Sequence, residues 1–342
     1  MDDTMTPLSR LLEERGALLT DGATGTNLFS MGLTSGDSPE FWNDEKPDLI
    51  RKLHRDFVDA GSDIILTNTF GGTRHRLKLH HAQDRVFELN EKGARLAREV
   101  ADNAGRPVIV AGSVGPTGEL LVPLGALTQE DAKAAFLEQM EGLKSGGVDV
   151  IWIETMSAPD EIAAAAQAAI ETGLPYVVTA SFDTAGKTMM GLPPSNMPSL
   201  LAGEAEKPFA VGANCGVGAS DLLSSVLDMT AADENAVIVA KANCGIPVVK
   251  GENVVYTGTP ELMYDYTVMA LDAGARIVGG CCGTSCDHLK YMRRAMDDHL
   301  AEGIGARPSV EDIVAKIGPM KNATSAANDE APRRERKGRR RG

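Results

Sequence analysis

Three cysteines have the types and spacing to do chemistry: Cys215 in Gly-Ala-Asn-Cys-Gly, and the adjacent pair Cys281-Cys282 in Gly-Gly-Cys-Cys-Gly-Thr. Neighbouring residues on a regular strand point to opposite faces, but glycines at 279, 280 and 283 free the backbone to turn both thiols toward one point. A third thiolate from another loop would give a tetrahedral Zn2+ with one open position, the catalytic rather than the structural pattern. Isolated cysteines are ordinarily inert core residues. Cys244 and Cys286 keep that reading, although either is a candidate fourth ligand that would close the site.

Three cysteinates leave Zn2+ with a net charge of about −1, a poor Lewis acid and a poor activator of water. Hydrolysis is disfavoured. Such a site is suited to binding another thiol, taking its proton and keeping its sulfur nucleophilic. The chemistry is alkylation at sulfur. Asp21 and Glu154 would hold a cationic amine of the acceptor, and amides at Gly22 with nearby hydroxyls its carboxylate. The acceptor is then a small zwitterionic thiol.

Positioning these groups requires a scaffold, and the chain supplies a regular one. Apolar runs bounded by turn residues occur at 17–20, 63–68, 108–113, 148–154, 176–181, 210–214, 237–243 and 275–280. Amphipathic stretches lie between them at 47–60, 85–103, 128–145, 159–172, 220–230, 260–273 and 287–300, many ending at glycine. Eight alternating β/α units predict a (β/α)8 TIM barrel of class α/β, one domain over 1–320. In that fold functional groups sit where the strands end. Asp21, Asn68, Ser113, Glu154, Ser181, Cys215, Asn243 and Cys281-Cys282 all fall there. Asp21, Gly22, Asn68, Ser113, Glu154 and Asn243 form the candidate substrate-binding set, and Cys215, Cys281 and Cys282 the candidate metal and catalytic set.

The chain has 342 residues, 43% of them hydrophobic and 4% aromatic, so aliphatic side chains must fill the core. No run of about eighteen apolar residues exists, and the first twenty residues lack a basic start followed by an apolar stretch. A cytoplasmic protein with reduced thiols and no membrane partner is expected. Net charge is −14, and residues 321–342 carry eight Lys/Arg against three Asp/Glu, which leaves −19 on the rest. The body repels nucleic acid. The basic tail over 321–342 is expected to be disordered, either solubilising or in electrostatic contact with RNA, membrane or an acidic protein.

The ordered motifs Asp21-Gly-Ala-Thr-Gly-Thr26, Thr67-Asn-Thr-Phe70, Gly115-Pro-Thr-Gly118, Glu154-Thr155, Asn214-Cys215, Asn243 with Gly245 and Pro247, and Gly279-Gly-Cys-Cys-Gly-Thr284 resemble the homocysteine S-methyltransferase family, from about Leu11 to Met296. The resemblance implies Cys215, Cys281 and Cys282 as zinc ligands, homocysteine as methyl acceptor and methionine as product. It also implies Asp21, Gly22 and Glu154 as substrate-binding positions. Within the family the chain is most similar to the homocysteine-binding barrel of cobalamin-dependent methionine synthases, in its Thr67-Asn-Thr-Phe70 and Glu154-Thr155 motifs. Betaine-using members carry tyrosines just after those two motifs, where they help surround a quaternary ammonium. Here the positions are Gly71 and Thr155, with Trp42 or Phe41 as the aromatic substitutes at hand. A corrinoid-bound methyl, brought by a separate protein, is favoured over betaine. Dimethylsulfonium compounds and S-methylmethionine remain as further donors.

Two other classes compete. Lys241 lies two residues before Asn243 on the same side of an inner strand, as a Schiff-base aldolase would require. A structural zinc protein would close its site with Cys244 or Cys286. His54, His75, His80, His81 and His288 lie on helical or loop segments without the spacing of a zinc pair near the cysteines.

Overall fold

Alternation along the short apolar runs decides the architecture. Leu18, Ile64, Leu66, Ile109, Ala111, Val150, Trp152, Val177, Ala210, Val239 and Ile277 pack into one cluster. Their neighbours Leu19, Ile65, Val110, Ile151, Val178, Val211, Ala240 and Val278 pack into another with the helices. The period of two gives a sheet closed on itself, with a filled lumen inside and helices outside. The computed structural model describes residues 5–245, 247–250 and 253–321. All but Lys321 of the expected basic tail lies outside the described residues.

The strands are β1 Leu18–Leu19, β2 Ile64–Leu66, β3 Ile109–Val114, β4 Val150–Met156, β5 Tyr176–Ala180, β6 Ala210–Cys215, β7 Ile238–Ala242, β8 Pro247–Lys250, β9 Asn253–Tyr256 and β10 Ala275–Gly280. Eight are parallel in the order β1-β10-β7-β6-β5-β4-β3-β2, and a bridge from Thr20 to Ile64 brings the two ends together. This is the (β/α)8 barrel expected from the sequence. Each of the eight expected runs forms one barrel strand. The antiparallel hairpin β8–β9 is an insertion that the β/α periodicity did not announce.

The helices are α1 Pro7–Arg15, α2 Thr24–Ser30, α3 Trp42–Glu45, α4 Pro47–Asp59, α5 Arg74–Lys78, α6 Val86–Asp102, α7 Gln129–Ser145, α8 Pro159–Thr172, α9 Ala219–Ala232, α10 Pro260–Asp272, α11 Cys286–Glu302 and α12 Val310–Ile317. The seven expected helices are α4 and α6 to α11. Proline in the first turn of α4, α8 and α10 starts those helices at no hydrogen-bond cost, and Thr128 and Thr259 cap α7 and α10. Leu8, Leu11 and Leu12 of α1 join the lumen cluster and plug the end of the barrel opposite the strand C-termini. At that end the fully buried Asp63 accepts from Leu19 N at 2.9 Å and pairs with Arg15 at 2.5 Å and Arg293 at 2.9 Å, tying α1, β1 and α11 together.

His54 of α4 is wholly buried, and among the described residues neither ring nitrogen has a hydrogen-bond partner. Burial alone holds its pKa down, to about 4 from an ordinary 6.5. The unfolded ring therefore takes a proton first as the pH falls. Stability is intact above pH 6.5 and is lost between 6.5 and 4, by about 3 kcal/mol in total. His54→Leu should flatten this limb. Urea midpoints at pH 7 and pH 5 should differ less in the variant than in the parent chain, and an equal drop in both would refute the assignment.

Candidate metal centre and acceptor pocket

The loops after β6 and β10 bring the three cysteines together. Their sulfurs lie within 4.8 Å of one another, with Cys215 Sγ 2.7 Å from Cys281 Sγ and 3.7 Å from Cys282 Sγ. The 2.7 Å pair is too far apart for a disulfide, whose sulfurs lie about 2.05 Å apart. The longer separation is close to the ~3.8 Å edge of a tetrahedron with ~2.3 Å metal–sulfur bonds. This is the only such ligand group among the described residues, and neither Cys244 nor Cys286 belongs to it. Three soft donors and no fourth suit a thiophilic cation with an open position.

The backbone is bent to make this cluster. Cys215, the last residue of β6, has φ 59°, a left-handed conformation that costs a non-glycine residue free energy and turns its thiol off the strand. Gly283 has φ 82° and lies against the Tyr256 ring, so a side chain there would be both strained and obstructed. Asn243 braces the two cysteine loops: its Oδ1 accepts from Cys282 N at 3.1 Å and its Nδ2 donates to Gly216 O at 2.8 Å. Cys281 N donates to Ala242 O at 2.7 Å.

The thiols behave as one coupled set. Hydrogen bonds from Cys215 and Cys281, with a further one from Tyr256, hold Cys282 far below the usual thiol range. Hydrogen bonding to Cys281 and Cys282, then burial, pushes Cys215 well above it. One thiolate forms readily and further ones are opposed by it, unless a cation shares their charge. Cys244, also buried, is pushed up to about 12 by desolvation and is inert by comparison.

Beneath the sulfurs, the inward series of the strands turns from apolar to polar. Ser113, Glu154, Thr179, Asn214 and Lys241 follow lumen residues by steps of two, and all are buried. Ser113 Oγ donates to Glu154 Oε1 at 2.5 Å. The Thr67-Asn-Thr-Phe70 motif fixes Ser113, since Ser113 N donates to Thr67 Oγ1 at 3.0 Å and Thr69 Oγ1 donates to Ser113 O at 2.7 Å. Thr155 has φ 61°, and Asn214 holds the turn by accepting from Thr155 N at 2.8 Å and donating to Thr155 Oγ1 at 2.7 Å. Burial raises the pKa of Glu154 from its ordinary value, against the pull of Lys241 and Ser113.

Asp21 is fully buried, with Oδ1 on Lys241 Nζ at 3.2 Å and Oδ2 accepting from Leu66 N at 2.7 Å. Burial works against the Lys241 ammonium but is outweighed by Asp21, Glu154 and Cys281, so its pKa lies above the ordinary value. That opposes the aldolase reading, because a Schiff base needs a neutral amine. Gly22 packs on Thr284, where a Cβ would lie 2.5 Å from the carbonyl oxygen. Gly280 N to Asp21 O at 3.2 Å and Ala23 N to Thr284 O at 3.1 Å join the Asp-Gly-Ala loop to the cysteine-pair loop.

Asn68 is turned elsewhere: its amide donates to Pro39 O at 2.7 Å and Asn43 Oδ1 at 3.0 Å. The aromatic substitutes are also committed. Trp42 is 4% exposed with Lys46 Nζ 4.1 Å over its ring, and Phe41 sits edge-on to His80. A Cβ on Gly71 would lie 2.9 Å from the Glu40 carboxylate, which itself accepts from Gly71 N at 2.6 Å. Sequence reasoning left out Tyr256 and considered Lys241 only as the nucleophile of a competing aldolase reading. Lys241's inward register was legible, and its ion pair was not.

The sequence profile of the homocysteine S-methyltransferase family matches residues 18–296. The methionine synthases of Mycobacterium tuberculosis and Mycobacterium leprae are each 30% identical to this chain over 91% of its length, which corresponds to 27% of theirs. The chain thus spans about a quarter of the length of these curated relatives. The homocysteine methyltransferase MmuM from Escherichia coli, in its metallated form, superposes with a TM-score of 0.71 at 26% identity, over 84% of this chain and 99% of that one. With its profile spanning the barrel and both cysteine loops, the chain belongs to the homocysteine S-methyltransferase family.

Proposed function

We propose that the chain is a zinc-dependent homocysteine S-methyltransferase that forms methionine. One observation carries the reading: three sulfurs converge within 4.8 Å at the barrel mouth, above a buried layer that includes the Glu154 carboxylate and the Lys241 ammonium. Cys215, Cys281 and Cys282 would hold Zn2+, which would keep the acceptor's sulfur as an electron-rich thiolate. Glu154, held in orientation by Ser113, would take the acceptor's ammonium, and the Gly22 amide would contribute to holding its carboxylate. Asn243 keeps the cysteine loops in register, and Asp21 acts through its ion pair with Lys241. The sulfur–carbon bond forms as the donor–methyl bond breaks, and the donor leaves with the electron pair.

A corrinoid-bound or other activated methyl is the donor this pocket favours over betaine. A quaternary ammonium needs aromatic faces to offset its desolvation. Trp42 is covered by Lys46, Phe41 is packed against His80, and Glu40 fills the space beside Gly71. The test is methionine formation from homocysteine with methylcobalamin, S-methylmethionine, a dimethylsulfonium compound and betaine. Turnover with at least one donor and little or none with betaine is expected. No methionine from any of the four would count against the function, and efficient use of betaine against the donor assignment.

A further inference from the structure

Lys241 is buried to 2% exposure on the lumen side of β7, and its Nζ lies 3.2 Å from Asp21 Oδ1 and 5.6 Å from the centre of the Trp152 ring. An ammonium has three donors and needs partners for all of them once removed from water. Among the described residues one hydrogen bond from Nζ is seen, to Asp21. Lys241 stands in register with Asn214 of β6 and Gly279 of β10, the strands that lead into the cysteine loops. A fixed cation therefore stands in the same buried layer as Glu154, the carboxylate proposed for the substrate's ammonium, below the mouth where the cysteine loops meet.

We infer that Lys241 binds the carboxylate of the amino-acid thiol and so selects α-amino acids over simple aminothiols. The inference rests on the proposed function. It gives the zwitterion a partner for each charge, Glu154 for the ammonium and Lys241 for the carboxylate. Asp21 then has a defined part: it keeps Lys241 charged and aimed, with its second oxygen anchored on Leu66 N. A buried lysine–carboxylate hydrogen bond between charges is among the stronger polar contacts, and its loss lowers affinity roughly 10- to 100-fold.

The test compares two acceptors by calorimetry on the zinc-loaded chain, with no methyl donor needed: homocysteine, and 3-aminopropane-1-thiol, which is homocysteine without its carboxylate. The parent chain should bind homocysteine roughly 10- to 100-fold more tightly. In Lys241→Met the two affinities should converge to within about threefold, chiefly through weaker homocysteine binding. Lys241→Arg should keep part of the preference. Because Lys241→Met leaves Asp21 buried without its partner, the double variant Asp21→Asn/Lys241→Met, which removes both charges, is measured alongside and should also lose the preference. Preference retained in the folded variants would overturn the role of Lys241 and leave the proposed function standing. Equal binding of both thiols by the parent chain would do the same. Binding of neither thiol by the parent chain would overturn the proposed function and this inference together.

Discussion

Cys281→Ser should strip most of the metal from the protein and reduce methionine formation to background. Serine is nearly isosteric, but its hydroxyl is not deprotonated near neutral pH and does not replace a thiolate on a soft cation. If zinc binding is worth about 10–16 kcal/mol over a full ligand set, the share of one ligand is about 3 kcal/mol or more, at least two orders of magnitude in affinity. The fold should survive, because the Cys281 backbone bond to Ala242 O does not involve the sulfur. Cys215→Ser and Cys282→Ser should behave alike, since each supplies one of the three converging sulfurs. Cys244→Ser is the control. Its thiol is outside the cluster, so metal content by atomic emission should stay near that of the parent chain. Full zinc occupancy in Cys281→Ser would remove the metal assignment, and loss of zinc in Cys244→Ser would revive a closed structural site.

Glu154→Gln should lower kcat/KM for homocysteine roughly 10- to 100-fold with metal content unchanged. The substitution keeps the shape and an oxygen able to accept from Ser113, but removes the charge that would meet the substrate's ammonium. Losing the ionic partner of a hydrogen bond costs about 1.5–3 kcal/mol, and each 1.36 kcal/mol is tenfold. The 8% exposure of Glu154 places the effect toward the upper part of that range, because little water is available to take the carboxylate's place. Homocysteine affinity should fall by a similar factor, as it does when an interaction is made equally in ground and transition states. An unaltered kcat/KM would show that Glu154 serves only to orient Ser113 and the end of β4.

Local pattern was enough for the barrel and the thiols. The strand runs read clearly because a period of two must hold wherever one face fills a lumen and the other meets helices, and the helices because glycine and proline mark their ends. Cys215, Cys281 and Cys282 were legible because glycine-flanked cysteines at strand ends have few other uses. The hairpin β8–β9, the plug α1 and the outer helix α12 fall outside the β/α repeat and left no comparable signal. Asn68, read as facing the substrate, has its amide spent on Pro39 and Asn43, because the 39–43 segment folds over the end of β2.

What the sequence by itself determined was the scaffold and the three thiols of the candidate metal centre, since both follow from residue type and spacing within a few positions. Only the tertiary structure decided how the charges pair. Lys241 and Asp21 are 220 residues apart, and nothing near either announces the other. Closing the barrel sets β1 beside β10 and β10 beside β7, and so brings the ends of β1 and β7 within reach across the lumen. That closure makes a fixed cation of a lysine that a competing reading took as a nucleophile, because ionic partnership is set by distance and burial rather than by position along the chain.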